Sequence, residues 1–289
     1  MTEHTLHVPG ARLVHEVLGP LPAADGRPPL FMIGQPMDAS GFRDLAAHFP
    51  ERTVVLYDPR GLGRSVREDG REDHDPVVQA EDLHALVAEL GAGPVEVFAS
   101  SGGAVTALAL LAAHPGDLSV LVAHEPPLAA VLPDERAVLR AFAEVGLAYE
   151  KGGWGAGMAG FLALTTWEGP FTEEYFARPL PGPAAFGLPE GDDGERSDPL
   201  LSGRSDAVIS YEPALAALGA ARTRLVVGVG EETGAEVFTG RAAHALAERL
   251  GTPPVVFPSH HGGFTGGEGP YAGQPEAFAR VLREVLDGA

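Results

Sequence analysis

Cysteine is absent from the 289 residues, and lysine occurs once, as Lys151. The first absence excludes disulfides, thiolate nucleophiles and Cys-ligated zinc. The second leaves arginine as nearly the whole cationic complement. With abundant Ala, Gly and Pro, that bias fits a GC-rich coding sequence and says nothing of chemistry. Positive charge is scarce too: 20 basic residues face 40 acidic ones, for a net charge of −20 at pH 7. Such a surface repels nucleic-acid phosphates and anionic membranes, so neither is an expected partner. No apolar run is long enough to span a bilayer, and the opening MTEHTLHVPGARLVHE has neither a basic n-region nor an apolar h-region. A cytoplasmic protein, monomeric or homodimeric, is expected. No clustered metal-ligand spacing and no cofactor motif occurs, so neither metal nor cofactor is expected.

What is present centres on Val95–His114, VEVFASSGGAVTALALLAAH. A short apolar run follows a Gly-Pro breaker and reads as a buried strand. It passes through Ala99-Ser100-Ser101-Gly102-Gly103 into a helix-forming stretch. Strand, tight turn, helix is the layout of a nucleophile elbow. Its turn strains the central residue and leaves little room beside it, so the residues two before and two after must be small. Centring on Ser101 puts Ala99 and Gly103 there; centring on Ser100 would put Phe98 in the first slot. Ser101 is the nucleophile candidate.

In chain order, Thr5–Val8 and Arg12–Leu18 read as a hairpin across Pro9-Gly10. Strands are expected at Leu30–Ile33, Thr53–Tyr57, Ser119–Ala123, Leu225–Val229 and Pro254–Phe257. Helices are expected at Ala39–His48, Asp75–Leu90, Pro213–Leu218, Thr239–Leu250 and Pro275–Leu286. Alternation of strand and helix implies a mostly parallel sheet covered on both faces. From Leu128 to about Asp206 the character changes. Helical pieces (Asp134–Glu150, Ala156–Trp167, Thr172–Ala177) alternate there with Gly- and Pro-rich stretches and an acidic loop. Residues 1–127 and 207–289 therefore read as the core, and 128–206 as an inserted helical lid.

Four landmarks in order now carry a resemblance. They are Gly34-Gln35-Pro36, Asp58-Pro59-Arg60-Gly61-Leu62-Gly63-Arg64-Ser65, the Ser101 elbow, and Ser259-His260-His261-Gly262-Gly263-Phe264. The chain resembles the α/β-hydrolase fold superfamily from end to end, and within it lid-bearing bacterial serine esterases. Its layout is also similar to haloalkane dehalogenases, but those carry Asp at the elbow, and an alkoxide attacks carbonyls instead. The resemblance implies an eight-stranded sheet and a catalytic histidine after the last strand.

His261, followed by Gly262-Gly263-Phe264, matches that position, and the side chain of His260 is expected to point elsewhere. For the acid that orients the imidazole, two places are known. The loop after the seventh strand offers Glu232, one residue off the usual spacing; the loop after the sixth offers Glu125, before Pro126-Pro127. Both stay open, with Glu125 placed first. The oxyanion donors implied are the backbone amides of Gln35 and Gly102. Met37, Trp154, Phe161 and Trp167 are candidate pocket residues, while Asp58 and Arg60 read as architectural. The expected activity is cofactor-free cleavage of a carboxylic ester of a small or apolar substrate through an acyl-enzyme. The same residues also suit C–C bond hydrolysis, perhydrolysis, thioester cleavage or cyclisation, and a non-catalytic ligand-binding homologue is the reading from another class.

Overall fold

The structure, a computed structural model, describes residues 2–24, 26–269 and 272–288. Its hairpin pairs β1 (Thr2–Val8) with β2 (Ala11–Leu18) across Gly10, whose φ of 75° suits a residue without Cβ. The other strands are β3 (Leu30–Gln35), β4 (Val54–Asp58), β5 (Val66–Arg67), β6 (Val95–Ser101), β7 (Leu118–His124), β8 (Arg224–Gly230) and β9 (Val255–Phe257). Eight of them form one sheet in the order β1-β2-β4-β3-β6-β7-β8-β9, parallel from β4 onward. The expected count of eight misses β5, a ninth strand that pairs antiparallel with β2 at Ala11 and Arg12. Two residues carry no periodicity, so nothing in the sequence marks it.

Nine α-helices are present among the described residues: α1 (Arg43–Ala47), α2 (Pro76–Leu90), α3 (Gly102–Ala113), α4 (Glu135–Thr165), α5 (Glu173–Phe176), α6 (Asp206–Ile209), α7 (Leu215–Ala220), α8 (Phe238–Leu250) and α9 (Pro275–Asp287). Asp75 caps α2 by accepting the Val77 and Val78 N–H groups, and left-handed Gly91 ends it. Helices α2, α3 and α8 cover one face of the sheet and α1 and α9 the other. Strand β6 serves both layers: Val97 and Ala99 face the first, Phe98 the second. Among the described residues, no helix is long and apolar enough to cross a membrane.

Between β7 and β8 lies the helical insertion. The first two of its three expected helical pieces form one element, α4, kinked at Gly153, where φ is 75° and ψ −169°, and the third is the short α5. An arginine on α8 fastens the insertion to the core. Arg241 pairs with Asp134 and donates to the Gly169 carbonyl, while Asp134 Oδ2 also accepts from Phe171 N–H at 2.8 Å.

The D-x-R-G-x-G-x-S stretch works as the architecture its residues suggest. Asp58 accepts from the N–H groups of Ala39 and Arg64, each at 2.9 Å, and from Arg64 Nε at 2.7 Å. Arg60, 3% exposed, grips Asp82 with two bonds of 2.6 and 2.5 Å. Such bidentate pairs hold loops in one register.

Close approach at the elbow is severe. A Cβ on Gly103 would lie 2.6 Å from Gly34 Cα and 2.8 Å from the Ile33 carbonyl, both backbone atoms. Gly103→Ala should therefore cost about 3 kcal/mol or more of stability, read as a lowered urea midpoint. An unchanged midpoint would contradict this packing.

Candidate active site

Three non-glycine residues among the described ones have positive φ: Ser101 at 56°, Glu125 at 46° and Ser259 at 69°. Backbone strain of this kind collects where function demands it. Ser101 closes β6 and Glu125 follows β7, while Ser259 precedes the histidine pair after β9. All three stand at or just after the carboxyl ends of parallel strands of the sheet, the edge where open α/β sheets bind ligands. Ser101 also immediately precedes α3, whose first turn offers unspent N–H groups.

Glu125 is fully buried. Its N–H donates to the Gly228 carbonyl at 3.0 Å, which ties it to β8. The carboxylate accepts at Oε1 from Gly230 N–H at 2.7 Å, and at Oε2 from His261 Nδ1 at 2.5 Å and Thr239 Oγ1 at 3.3 Å. Burial works against its ionisation, but the His261 bond and nearby imidazoles outweigh that and hold its pKa down at about 2. With Nδ1 committed to Glu125, Nε2 is the His261 nitrogen left to take a proton. No hydrogen bond joins Ser101 to His261 in this arrangement; contacts of this kind commonly tighten only around substrate.

Ser101 and His261 line one cavity of about 520 Å³. Gln35 and Gly102 line it as well, as do Phe142, Phe161, Leu200, Val208, Ile209, Val237 and Phe238. Of the four candidate pocket side chains, only Phe161 reaches it. Met37 turns to the opposite sheet face, where a Cβ on Gly41 would come within 1.9 Å of its sulfur. Trp154 donates its indole N–H to Asp198 at 3.2 Å and packs on the core. Trp167 donates to the Pro170 carbonyl at 3.1 Å, stacks edge-on with Tyr175 and lies under the Arg178 guanidinium. An indole N–H needs a partner, and each tryptophan found one away from the cavity.

His260 also lines the cavity, against expectation, but its Nδ1 accepts from Gly262 N–H at 3.0 Å. Glu232 pairs its backbone N–H with the Ser259 carbonyl at 2.9 Å, and its exposed side chain stands in the cavity wall.

Among proteins of known sequence, YraK of Bacillus subtilis (strain 168), an uncharacterized hydrolase, is 30% identical over 263 residues, covering 90% of each chain. A family model for the alpha/beta hydrolase fold matches residues 30–154. The chain belongs to the α/β-hydrolase fold family. Among solved structures it is similar to a thermophilic esterase from Thermogutta terrifontis, with a TM-score of 0.63 at 21% identity, covering 100% of this chain and 99% of that one. It is also similar to a putative aryl esterase from Burkholderia cenocepacia, with a TM-score of 0.64 at 19% identity over 99% and 98% of the chains.

In this α/β hydrolase the described residues of the cavity wall include no arginine or lysine but two carboxylates, Glu168 and Glu232. Sequence reading missed several of its residues. Val208 and Ile209 come from the four-residue α6, too short to show helical spacing. Phe142 and Phe238 meet edge-on, with ring centres 5.4 Å apart, across α4 and α8, a contact no sequence period encodes. Thr239, legible only as a helix start, supports Glu125. His124 is a further buried group behind the site. Its Nδ1 lies 3.2 Å from Ser100 Oγ, and Phe98, Phe257, Phe264 and Phe278 surround the ring. Burial lowers its pKa to about 4.

Proposed function

We propose that this hydrolase cleaves carboxylic esters through an acyl-enzyme, with Ser101 as nucleophile, His261 as general base and then acid, and Glu125 as the orienting carboxylate. The observation that carries the reading is the 2.5 Å bond from His261 Nδ1 to the buried Glu125, on the wall of the cavity that also holds the strained Ser101. A serine hydroxyl attacks a carbonyl only as a base removes its proton, and an ionised Glu125 stabilises the imidazolium that forms. Backbone N–H groups of Gln35 and Gly102 take the developing oxyanion, the latter at the positive end of α3. Collapse expels the alcohol, protonated by His261; water then attacks the acyl-Ser101 by the same relay. The insertion at 128–206 acts as a lid, since Phe142, Phe161 and Leu200 from it close over the cavity. An apolar wall with acidic residues and no cation suits neutral acyl chains and disfavours anionic substrates.

Hydrolysis of p-nitrophenyl esters of graded chain length, with fluorophosphonate labelling of Ser101, tests this. Turnover and labelling are expected in the wild type; absence of both would refute it. The two glutamates separate the acid. Glu125→Gln should lower kcat by about 10⁴-fold, because a carboxamide no longer fixes the imidazole tautomer or its charge. Glu232→Gln, at an exposed carboxylate, should change it by no more than about threefold. Equal effects would reject Glu125.

A further inference from the structure

Away from the catalytic cavity, two helices bring together a second group of titratable side chains. Among the described residues, His84, His114 and Asp117 each offer a donor atom, and these atoms all lie within 4.8 Å of one another. His84 stands on α2, His114 caps the end of α3, and Asp117 closes the turn that leads into β7. No local spacing in the sequence shows the group, because only the packing of α2 against α3 assembles it.

The contacts inside it are close. Asp117 Oδ2 lies 2.7 Å from His84 Nδ1, and the two imidazole rings stack with centres 3.8 Å apart and planes 7° from parallel. Glu81, one turn before His84 on α2, accepts from His114 Nε2 at 2.9 Å. The backbone fixes the other pair, since Asp117 N–H donates to the His114 carbonyl at 3.0 Å. All three side chains are half-buried, which leaves them open to an ion from solvent.

Ligand chemistry narrows what fits. Two imidazoles and a carboxylate suit zinc and its transition-metal neighbours, whereas calcium and magnesium prefer an all-oxygen shell. Zinc bonds of about 2 Å put neighbouring donors about 3.3 Å apart on a tetrahedron, so the group must close by about 1.5 Å. Rotation of half-buried side chains about their χ angles supplies that movement. Water would fill the fourth position, and Glu81 is the carboxylate to which a metal-bound imidazole usually gives its other N–H. The field favours a cation here as well. The end of α3 is the negative pole of its dipole, and the chain carries a net charge of −20.

We propose that His84, His114 and Asp117 bind one zinc ion that clasps α2 to the end of α3. The site is structural: α3 begins just after Ser101, and its 12 residues set the ion about 18 Å from the elbow. The ion anchors the far end of the helix whose first turn faces the catalytic cavity. It stabilises the folded chain, because the unfolded one does not assemble the ligands.

Titration of zinc chloride into the tag-free, chelator-treated protein, followed by calorimetry and thermal unfolding, tests this. One equivalent should bind with a Kd of about 10 µM or tighter, and zinc at about tenfold excess over Kd should raise Tm by about 3 °C or more. Magnesium at the same concentration should leave Tm unchanged. His84→Gln, His114→Gln and Asp117→Asn should each weaken zinc binding by about tenfold or more, while His7→Gln, exposed on β1, should not. No saturable zinc binding in that range, an equal shift from magnesium, or zinc affinity retained in a folded ligand variant would each overturn the proposal. The three ligands sit on separate elements and none is fully buried, so any one variant that folds carries the comparison.

Discussion

Ser101→Ala should lower kcat for p-nitrophenyl ester hydrolysis by about 10⁴- to 10⁶-fold, equivalent to about 5–8 kcal/mol of barrier. On the proposed mechanism the variant loses the oxygen that forms the acyl-enzyme, while the Gln35 and Gly102 amides would still polarise a bound carbonyl. Some rate above background should therefore persist. Stability should barely move. The Ser101 hydroxyl caps no helix N–H, and alanine meets the same strained φ of 56° that serine already tolerates, so a change within about 1 kcal/mol is expected. His261→Ala should produce a comparable loss. The double variant should be no slower than the worse single one, because groups that act as one relay fail together. Independent, multiplying losses would show that Ser101 and His261 do not share a step. Wild-type activity in Ser101→Ala would move the chemistry to another residue.

A large pH effect on stability should appear between about pH 6.5 and 4, well above the range in which carboxylates usually drive acid unfolding. His15, His74 and His124 are each at most 2% exposed, and each has its pKa lowered to about 4. Burial is the leading cause in all three. His4 adds to it at His15, and Arg204 and Arg67 add to it at His74. In the unfolded chain these rings titrate near the usual 6.5. Between the two values the unfolded state binds more protons, so stability rises with pH. The contribution is whole above pH 6.5, shrinks as pH falls, and stops shrinking once the folded rings protonate near pH 4. Each shift corresponds to about 3 kcal/mol, and three rings give a slope of about 4 kcal/mol per pH unit in mid-window. By pH 5 the three rings together remove about 6 kcal/mol, a large share of a typical stability of about 5–15 kcal/mol.

Urea titrations at pH 8, 6 and 5 check the slope, and His15→Gln, His74→Gln or His124→Gln should each remove about a third of it. Stability that stays flat from pH 8 to 5 would show that these rings protonate in place. Glu125 adds a later loss of the same sign. Its pKa is depressed to about 2 from an ordinary 4.5, so its contribution is present above pH 4.5 and drains as pH falls toward 2.

Several features were decided by the sequence alone, because each depends on atoms close together along the chain. The elbow is one: Ala99 and Gly103 flank Ser101 at the only spacing that avoids a clash, and the structure puts Gly103 hard against Gly34 and Ile33. The fold class is another, since strand and helix periods are local and their alternation dictates a covered parallel sheet. Tertiary structure alone chose between Glu125 and Glu232 as the neighbour of His261. Both lie at strand ends, and it is the pairing of β7 with β8 that buries Glu125 beneath the histidine loop, within reach of His261 Nδ1, while Glu232 stays exposed on the cavity wall. It also decided the cavity wall. Aromatic residues advertise burial but not which surface they bury. Trp154, Trp167 and Met37 packed elsewhere, while Phe142 and Phe238, nearly a hundred residues apart, came together in the wall of the cavity that Ser101 also lines.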